Sequence, residues 1–272
     1  MLDRGFPRTV TVYGTGLIGC SFALALKQTI PGVRLYGIDS VDILNRARAI
    51  GAIESAGTGP VEAPDLIILS APVGEILRLA GKMQPGPSII LDVGSTKVDI
   101  CKLAEDRQLP FIGGHPMTGS ERSGPEAASA DLFKGSRFFL CPISSTPPGA
   151  VSQLENIIRT IGALPYVISP ENHDKLAAEL SHLPQILSTV LADLTGEHRE
   201  FAGPGWKSIT RLAASPFHVW RDILMTSGSL PGELKTYIQR LHDILDALEH
   251  KDMKQLESVF ERANKSVLDG PH

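Results

Sequence analysis

The feature that most restricts the fold is Gly14-Thr15-Gly16-Leu17-Ile18-Gly19, three glycines in the spacing G-x-G-x-x-G. It follows a β-branched run, Thr9 to Tyr13, and opens a small, apolar helical stretch, Leu17 to Gln28. At this spacing the first glycine permits a tight turn and the second lets backbone approach a pyrophosphate. The third lets the helix pack closely on the strand. The helix N-terminus then turns its free N–H groups toward the phosphates. Alone, the spacing is a weak signal. Here a second strand, Val33 to Ile38, runs into Asp39, 20 residues after Gly19. That is the interval at which an acid meets the adenosine ribose hydroxyls. A carboxylate there favours the 2′-hydroxyl of NAD over the 2′-phosphate of NADP. Arg46 and Arg48 on the next helix, Val41 to Ile50, are in reach of a 2′-phosphate and keep NADP open, but a solvated helix face explains them better.

Further strands are expected at Leu66 to Ser70, Ser88 to Val93, Phe111 to Gly113, Arg137 to Pro142 and Tyr166 to Ile168, with helical stretches between most of them. Such alternation means βαβ units and a mainly parallel sheet. From Pro170 the pattern changes. Glu171 to Thr195 is helical around Pro184, whose missing N–H leaves the Leu180 carbonyl without a partner and predicts a kink. After a break at Gly203 to Lys207, helical spacing returns at Pro216 to Met225, Leu230 to His250 and Met253 to Leu268. The fold class is therefore α/β: a dinucleotide-binding domain over residues 1–169, then an all-helical domain over 170–272.

Composition narrows the function. A net charge of -4 and 21% charged residues supply no basic stripe for nucleic acid. No apolar run is long enough to cross a bilayer, and Met1 to Thr9 holds no signal-like stretch, so the cytoplasm is the expected compartment. Cys20, Cys101 and Cys141 are unclustered and read as small buried hydrophobes, with no metal site.

Candidate chemistry lies at the expected carboxyl ends of strands. Ser70-Ala71-Pro72, Gly94-Ser95-Thr96-Lys97 and Gly113-Gly114-His115-Pro116-Met117 are three such loops. His115, neutral near pH 7, suits a general base that takes a hydroxyl proton, and Ser95 could orient it or the substrate hydroxyl. In the helical part, Ser181 and Gln185 share a face with His182 adjacent. Lys207 and Arg211, also four apart, make an anion-binding pair or a solvated basic face. Trp220-Arg221-Asp222 fits core packing with a surface ion pair.

Taken in order, these motifs closely resemble the prephenate/arogenate dehydrogenase family of tyrosine biosynthesis. The resemblance rests on Gly14-x-Gly16-Leu17-Ile18-Gly19, Asp92-Val93-Gly94-Ser95-Thr96-Lys97, the run from Gly113 to Gly124, Leu180-Ser181-His182-Leu183-Pro184, Thr210-Arg211 and Trp220-Arg221-Asp222. It implies a Rossmann-type domain followed by a helical dimerisation domain, and hence a homodimer. It also implies oxidation of a cyclohexadienyl alcohol by NAD with loss of the ring carboxylate as carbon dioxide. His115 would accept the hydroxyl proton, Ser95 would support it, and Arg211 with Lys207 would bind substrate carboxylate. Ser120, Ser181, His182 and Trp220 would line the pocket. Gln185 stands where many relatives have a second histidine, beside the substrate side chain that is keto in prephenate and amino in arogenate. An amide can accept from an ammonium or donate to a keto oxygen. The chain is also expected to lack the regulatory and mutase domains of some relatives. Two other readings compete: a dehydrogenase of 3-hydroxy acids that works through Lys207, and a non-catalytic NAD(H) sensor that needs only the glycine loop and Asp39.

Overall fold

The computed structural model describes residues 5–56, 63–119 and 122–269. The chain gathers into two compact units, residues 1–228 and 229–272. The first opens with β1 (Thr9–Tyr13), α1 (Leu17–Thr29), β2 (Arg34–Ile38), α2 (Val41–Ala49), β3 (Ser55–Ala56), β4 (Leu66–Leu69), α3 (Val73–Ala80), β5 (Ile89–Asp92) and α4 (Val98–Asp106). It continues with β6 (Phe111–Pro116), β7 (Arg137–Pro142), α5 (Ala150–Thr160) and β8 (Leu164–Val167). The strands form one sheet in the order β3-β2-β1-β4-β5-β6-β7-β8. All pairs are parallel except β6 with β7. Strand order reverses between β1 and β4, and the crevice beyond their carboxyl ends is where such sheets bind nucleotides.

Successive strand residues feed opposite faces, because side chains alternate along a strand. Leu91, Ile112 and Leu140 join Phe22, Leu26, Phe133 and Phe138 on one side of the sheet. Their neighbours Ile90, Phe111 and Cys141 join Ile76 and Ile100 on the other. Burial on both faces explains why these strands read as unbroken apolar runs.

One strand departs from expectation in a way that matters. β6 extends to Pro116, three residues beyond the expected end, because β7 pairs with it antiparallel as far as Pro116↔Phe138. His115 is therefore a strand residue opposite Phe139, not a loop residue. β3, two residues long, was too short to show a pattern, and the last strand starts at Leu164 rather than Tyr166.

The helices α6 (Pro170–Ala177), α7 (Leu183–Thr195), α8 (Pro204–Thr210) and α9 (Phe217–Thr226) belong to the same compact unit as the sheet, so compactness and the change of pattern at residue 170 do not coincide. The kink expected at Pro184 takes the form of a π-helical turn, Ala178–His182. There the Leu183 N–H reaches back five residues to the Ala178 carbonyl. An extra residue in one turn is a common way to absorb a break in the i→i−4 ladder. Lys207 and Arg211 do not share a helix: α8 ends at Thr210 and Arg211 opens a 3-10 turn, Arg211–Ala214. The second unit contains α10 (Leu230–Glu249) and α11 (Met253–Leu268), joined where Asp252 caps α11 by accepting from Gln255 N at 3.1 Å. Ile244, Leu248, Met253, Leu256 and Phe260 line an apolar groove between these two helices. Among the described residues no helix is long and apolar enough to cross a membrane.

Candidate active site

The glycine loop is built as a dinucleotide cradle. Gly14 has φ +86°, and a Cβ there would lie 2.0 Å from the Ser70 carbonyl oxygen. A Cβ on Gly19 would lie 2.0 Å from the carbonyl oxygen of Gly14. Neither spacing is physical, so both positions demand glycine. A Cβ on Gly16 would meet nothing within 4 Å, which leaves the loop open on the side a pyrophosphate would approach. Leu17, Ile18 and Gly19 form the first turn of α1, with Thr15 buried beneath. Asp39 follows β2, and its Oδ2 accepts from Thr15 N at 2.8 Å and Thr15 Oγ1 at 3.3 Å. Its Oδ1 accepts from Ser40 N at 2.7 Å. The carboxylate is exposed and retains lone pairs for hydroxyl donors. Arg46 is forked onto Glu126, with both N–O distances 2.6 Å, so its guanidinium is already engaged. These residues fit a dinucleotide.

Across the sheet, His115 is 9% exposed near the end of β6. Its Nδ1 lies 2.9 Å from His173 Nε2, and His173 Nδ1 lies 2.8 Å from Asp174 Oδ1. An ionised carboxylate only accepts, so His173 carries its proton on Nδ1 and offers Nε2 as acceptor. His115 must then donate from Nδ1, which leaves its Nε2 unprotonated. Nε2 makes no hydrogen bond among the described residues. The chain is anchored at its far end, where Asp174 accepts from the backbone N–H groups of Lys97 (2.7 Å) and Val98 (3.0 Å) at the start of α4. Below it lies a second buried acid. Asp92, at the end of β5, accepts from Gly94 N at 2.8 Å, Gly114 N at 3.1 Å and the Lys97 ammonium. Both side chains of the Asp92–Lys97 pair are 0% exposed.

Burial sets the charge states. It pushes His115 well below the ordinary histidine value, and His173, Lys97 and His182 add to the push. Burial also lowers His173, although the Asp174 carboxylate pulls it back up. His182 falls to about 4, again through burial. All three imidazoles are thus neutral at pH 7, the form a base requires. Burial raises the Asp92 carboxyl, with the Lys97 ammonium and two N–H groups opposing.

The other expected residues that are described lie on strand-end loops and on the helices after β8. His182 sits in the π turn with Nδ1 2.8 Å from Ser227 Oγ and its ring edge-on to Trp220, centroids 6.0 Å apart. Its Nε2 is buried with no partner among the described residues. Ser181, also in the π turn, and Ser95, beyond β5, are partly buried, and no bond links Ser95 to His115 among the described residues. Gln185 donates from Nε2 to the Leu212 carbonyl (2.9 Å) and Thr189 Oγ1 (3.3 Å). Ser188 Oγ accepts from Ala213 N at 2.9 Å, so α7 holds the turn that begins at Arg211. Arg211 and Lys207 are exposed. Ser120 lies outside the described residues. Ala71 and Pro72 follow β4 and Ser70. The helix they lead into, α3, has its Gly74 N–H capped by Asp222 Oδ2 at 3.0 Å. Thr226 bonds Thr96 at 2.8 Å, so α9 is fastened to two of the strand-end loops.

Sequence reasoning gave no role to His173, Asp174, Asp92 or Lys97. A signal did exist for the first two. Ser169 caps α6 and Pro170 starts it, and on that helix His173 and Asp174 are buried on the same stripe as Ala177 and Ala178. Polar residues on an apolar stripe imply buried partners.

The profile of the family "Prephenate dehydrogenase, nucleotide-binding domain" matches residues 22–167, and that of "Prephenate dehydrogenase, dimerization domain" matches 169–262. The prephenate dehydrogenase of Bacillus subtilis (strain 168) is 36% identical, over 96% of this chain and 76% of its own. The cyclohexadienyl dehydrogenase of Zymomonas mobilis is 29% identical, over 95% and 94%. A crystal structure of Aquifex aeolicus prephenate dehydrogenase, in complex with hydroxyphenyl propionate and NAD+, superposes with a TM-score of 0.87 at 25% identity, covering 97% of this chain and 98% of that one. Two profiles that together run through the sheet and the helices, and relatives matched over nearly the whole chain, leave no place for the 3-hydroxy-acid and sensor alternatives. A cradle for a dinucleotide and a buried, neutral histidine stand on one sheet, and the sequence around both is that of one family: the chain belongs to the prephenate dehydrogenases.

Proposed function

We propose that this chain catalyses the oxidative decarboxylation of a cyclohexadienyl alcohol, prephenate or arogenate, in tyrosine biosynthesis. The observation that carries the reading is the His115–His173–Asp174 chain, which leaves His115 Nε2 unprotonated on the sheet that also holds the cradle. NAD, when bound, supplies the hydride acceptor. Gly14 to Gly19, Asp39 and Ser70-Ala71-Pro72 hold it. His115 Nε2 takes the ring hydroxyl proton, and Ser95 steadies that hydroxyl. Arg211 binds substrate carboxylate, while Ser181, His182 and Trp220 bound the ring. The ring becomes aromatic as carbon dioxide leaves, so these residues mainly have to orient the substrate and manage one proton.

Gln185 bears on the side chain. Its amide donors are already engaged by Leu212 and Thr189, which leaves the amide oxygen. An oxygen acceptor suits an ammonium, so the reading favours the amino over the keto side chain. In this reading the functional division lies near residue 170, which the start of the dimerization profile at 169 supports. Exposed Leu241, Leu245, Leu248 and Phe260 on α10 and α11 are the surface through which a homodimer would form. Three buried free cysteines suit a reducing cytoplasm.

The test is absorbance growth at 340 nm with prephenate and with arogenate, each with NAD and NADP. NADH is expected, fastest with arogenate, and His115→Asn should lose at least about a hundredfold in kcat while still binding NAD. No reduction by protein that binds NAD would overturn the reading. A prephenate preference would overturn the role given to Gln185.

A further inference from the structure

The buried histidine pair does more than fix a tautomer. Its geometry, taken with the balance of the reaction proposed above, describes a proton store with no outlet. The carbon that bears the hydroxyl gives its hydrogen as hydride to the nicotinamide. The ring carboxylate leaves as carbon dioxide, and the electron pair of the broken C–C bond enters the ring. The substrate has an alcohol hydroxyl and the product a phenol hydroxyl, so the O–H proton removed to assist hydride departure is not lost overall. It must come back. The phenolate left by that electron pair, whose conjugate acid has a pKa near 10, takes a proton readily from an imidazolium.

We propose, resting on the assignment of His115 as the base, that His115, His173 and Asp174 form a closed proton shuttle. The hydroxyl proton bonds to His115 Nε2 as the Nδ1 proton of His115 moves to His173 Nε2, and both transfers reverse onto the phenol oxygen before product leaves.

Three observations support the store. First, the two bonds of the chain, 2.9 Å and 2.8 Å, connect donor to acceptor in one direction. Second, the far end is sealed. His173 is 0% exposed and Asp174 2%, Phe139 lies edge-on to His173 at 5.3 Å, and both Asp174 oxygens accept backbone N–H groups. A base meant to discharge to water would not end in such a pocket. Third, the charge is better placed on the second ring than on the first. His115 faces His173, Lys97 and His182, each of which opposes a positive charge there. His173 feels Lys97 too, but the carboxylates of Asp174 and Asp92 favour its charge. Moving one proton one ring inward takes the charge from a repulsive place to a paired one. His173 and Asp174 are positioning residues in this account, because neither touches the substrate.

His173→Gln separates holding from accepting. Its amide oxygen can still take the His115 Nδ1–H, but it cannot take the proton. The experiment compares this variant with wild type in three ways: 15N NMR of labelled histidine, NAD affinity, and single-turnover hydride transfer in H2O–D2O mixtures. Wild type should show His115 Nε2 as the unprotonated nitrogen and a curved proton inventory, since two protons move together. In His173→Gln the tautomer and NAD affinity should persist, the single-turnover rate should fall at least about tenfold, and the inventory should become linear. A rate within twofold of wild type, or a linear inventory in wild type, overturns the shuttle. Should the variant not fold, or not keep the tautomer, the wild-type inventory decides. If wild-type protein reduces no NAD with either substrate, the underlying functional reading fails instead, and the two failures are distinct.

Discussion

Lys97→Met should destabilise the protein out of proportion to the removal of one charge. Lys97 and Asp92 are both 0% exposed, and the carboxylate also accepts from Gly94 N and Gly114 N. Methionine fills much the same volume but leaves the acid buried without its counter-ion. Breaking a buried pair by removing one partner costs about 3–5 kcal/mol, because the remaining charge must stay desolvated or take a proton. Against a typical stability of about 5–15 kcal/mol this is large but survivable. In a unit of this size it lowers Tm by about 10 °C. Lys134 gives the control. It pairs with Asp131 at 2.7 Å, but the side chains are 60% and 62% exposed. Lys134→Met should therefore change stability by no more than about 0.5 kcal/mol. Urea denaturation of the two variants without cofactor measures the contrast. The same Lys97→Met change removes one of the charges that hold His115 low, so the acid limb of kcat/KM should move to higher pH. Equal stability of the two variants would refute the view that Asp92–Lys97 is a desolvated ion pair under the site.

Three further outcomes follow from the charges and contacts of the site. As the proposed base His115 would have to be neutral, and it is held well below its ordinary value, so kcat/KM should stay flat on acidification through pH 6.5 and fall only well below it; a limb centred at 6.5 or above would contradict that assignment. His182 titrates near 6.5 unfolded and about 4 folded, so its contribution is complete above pH 6.5 and is lost as pH falls toward 4, worth about 3 kcal/mol over that window. In His182→Gln the acid loss measured by urea midpoints should be shallower by about one proton, and an unchanged slope would place the titration elsewhere. Asp39→Ala should weaken NAD binding in calorimetry and narrow its advantage over NADP, since the carboxylate that favours a 2′-hydroxyl and repels a 2′-phosphate is gone; an undiminished NAD preference would show that the ribose is read by other residues.

The outline of the fold was legible because its signals are local. Buried strands such as Leu66–Leu69 and Ile89–Asp92 read as apolar runs, and the loop at Gly14 carries its own steric demands. His115 was legible as a residue but not as a position. Its strand is extended by pairing with Arg137–Pro142, more than twenty residues on, and that pairing leaves no mark near Gly113. His173 and Asp174 were missed for a related reason. They meet His115 and Lys97 only once α6 packs on β6, β7 and α4, so the chain of hydrogen bonds exists in tertiary contact and not in spacing. The Lys207–Arg211 face failed differently. Four-residue spacing presumes a continuous helix, and the 3-10 turn at Arg211, tied to Gln185 and Ser188, interrupts it.

Oxidative decarboxylation requires hydride transfer and loss of the ring carboxylate to occur together on this protein. The most direct test is to measure NADH at 340 nm and carbon dioxide from substrate labelled at the ring carboxylate in the same reaction. One carbon dioxide is expected for each NADH at every time point. NADH without carbon dioxide would describe a simple alcohol dehydrogenase, and would contradict the proposed function.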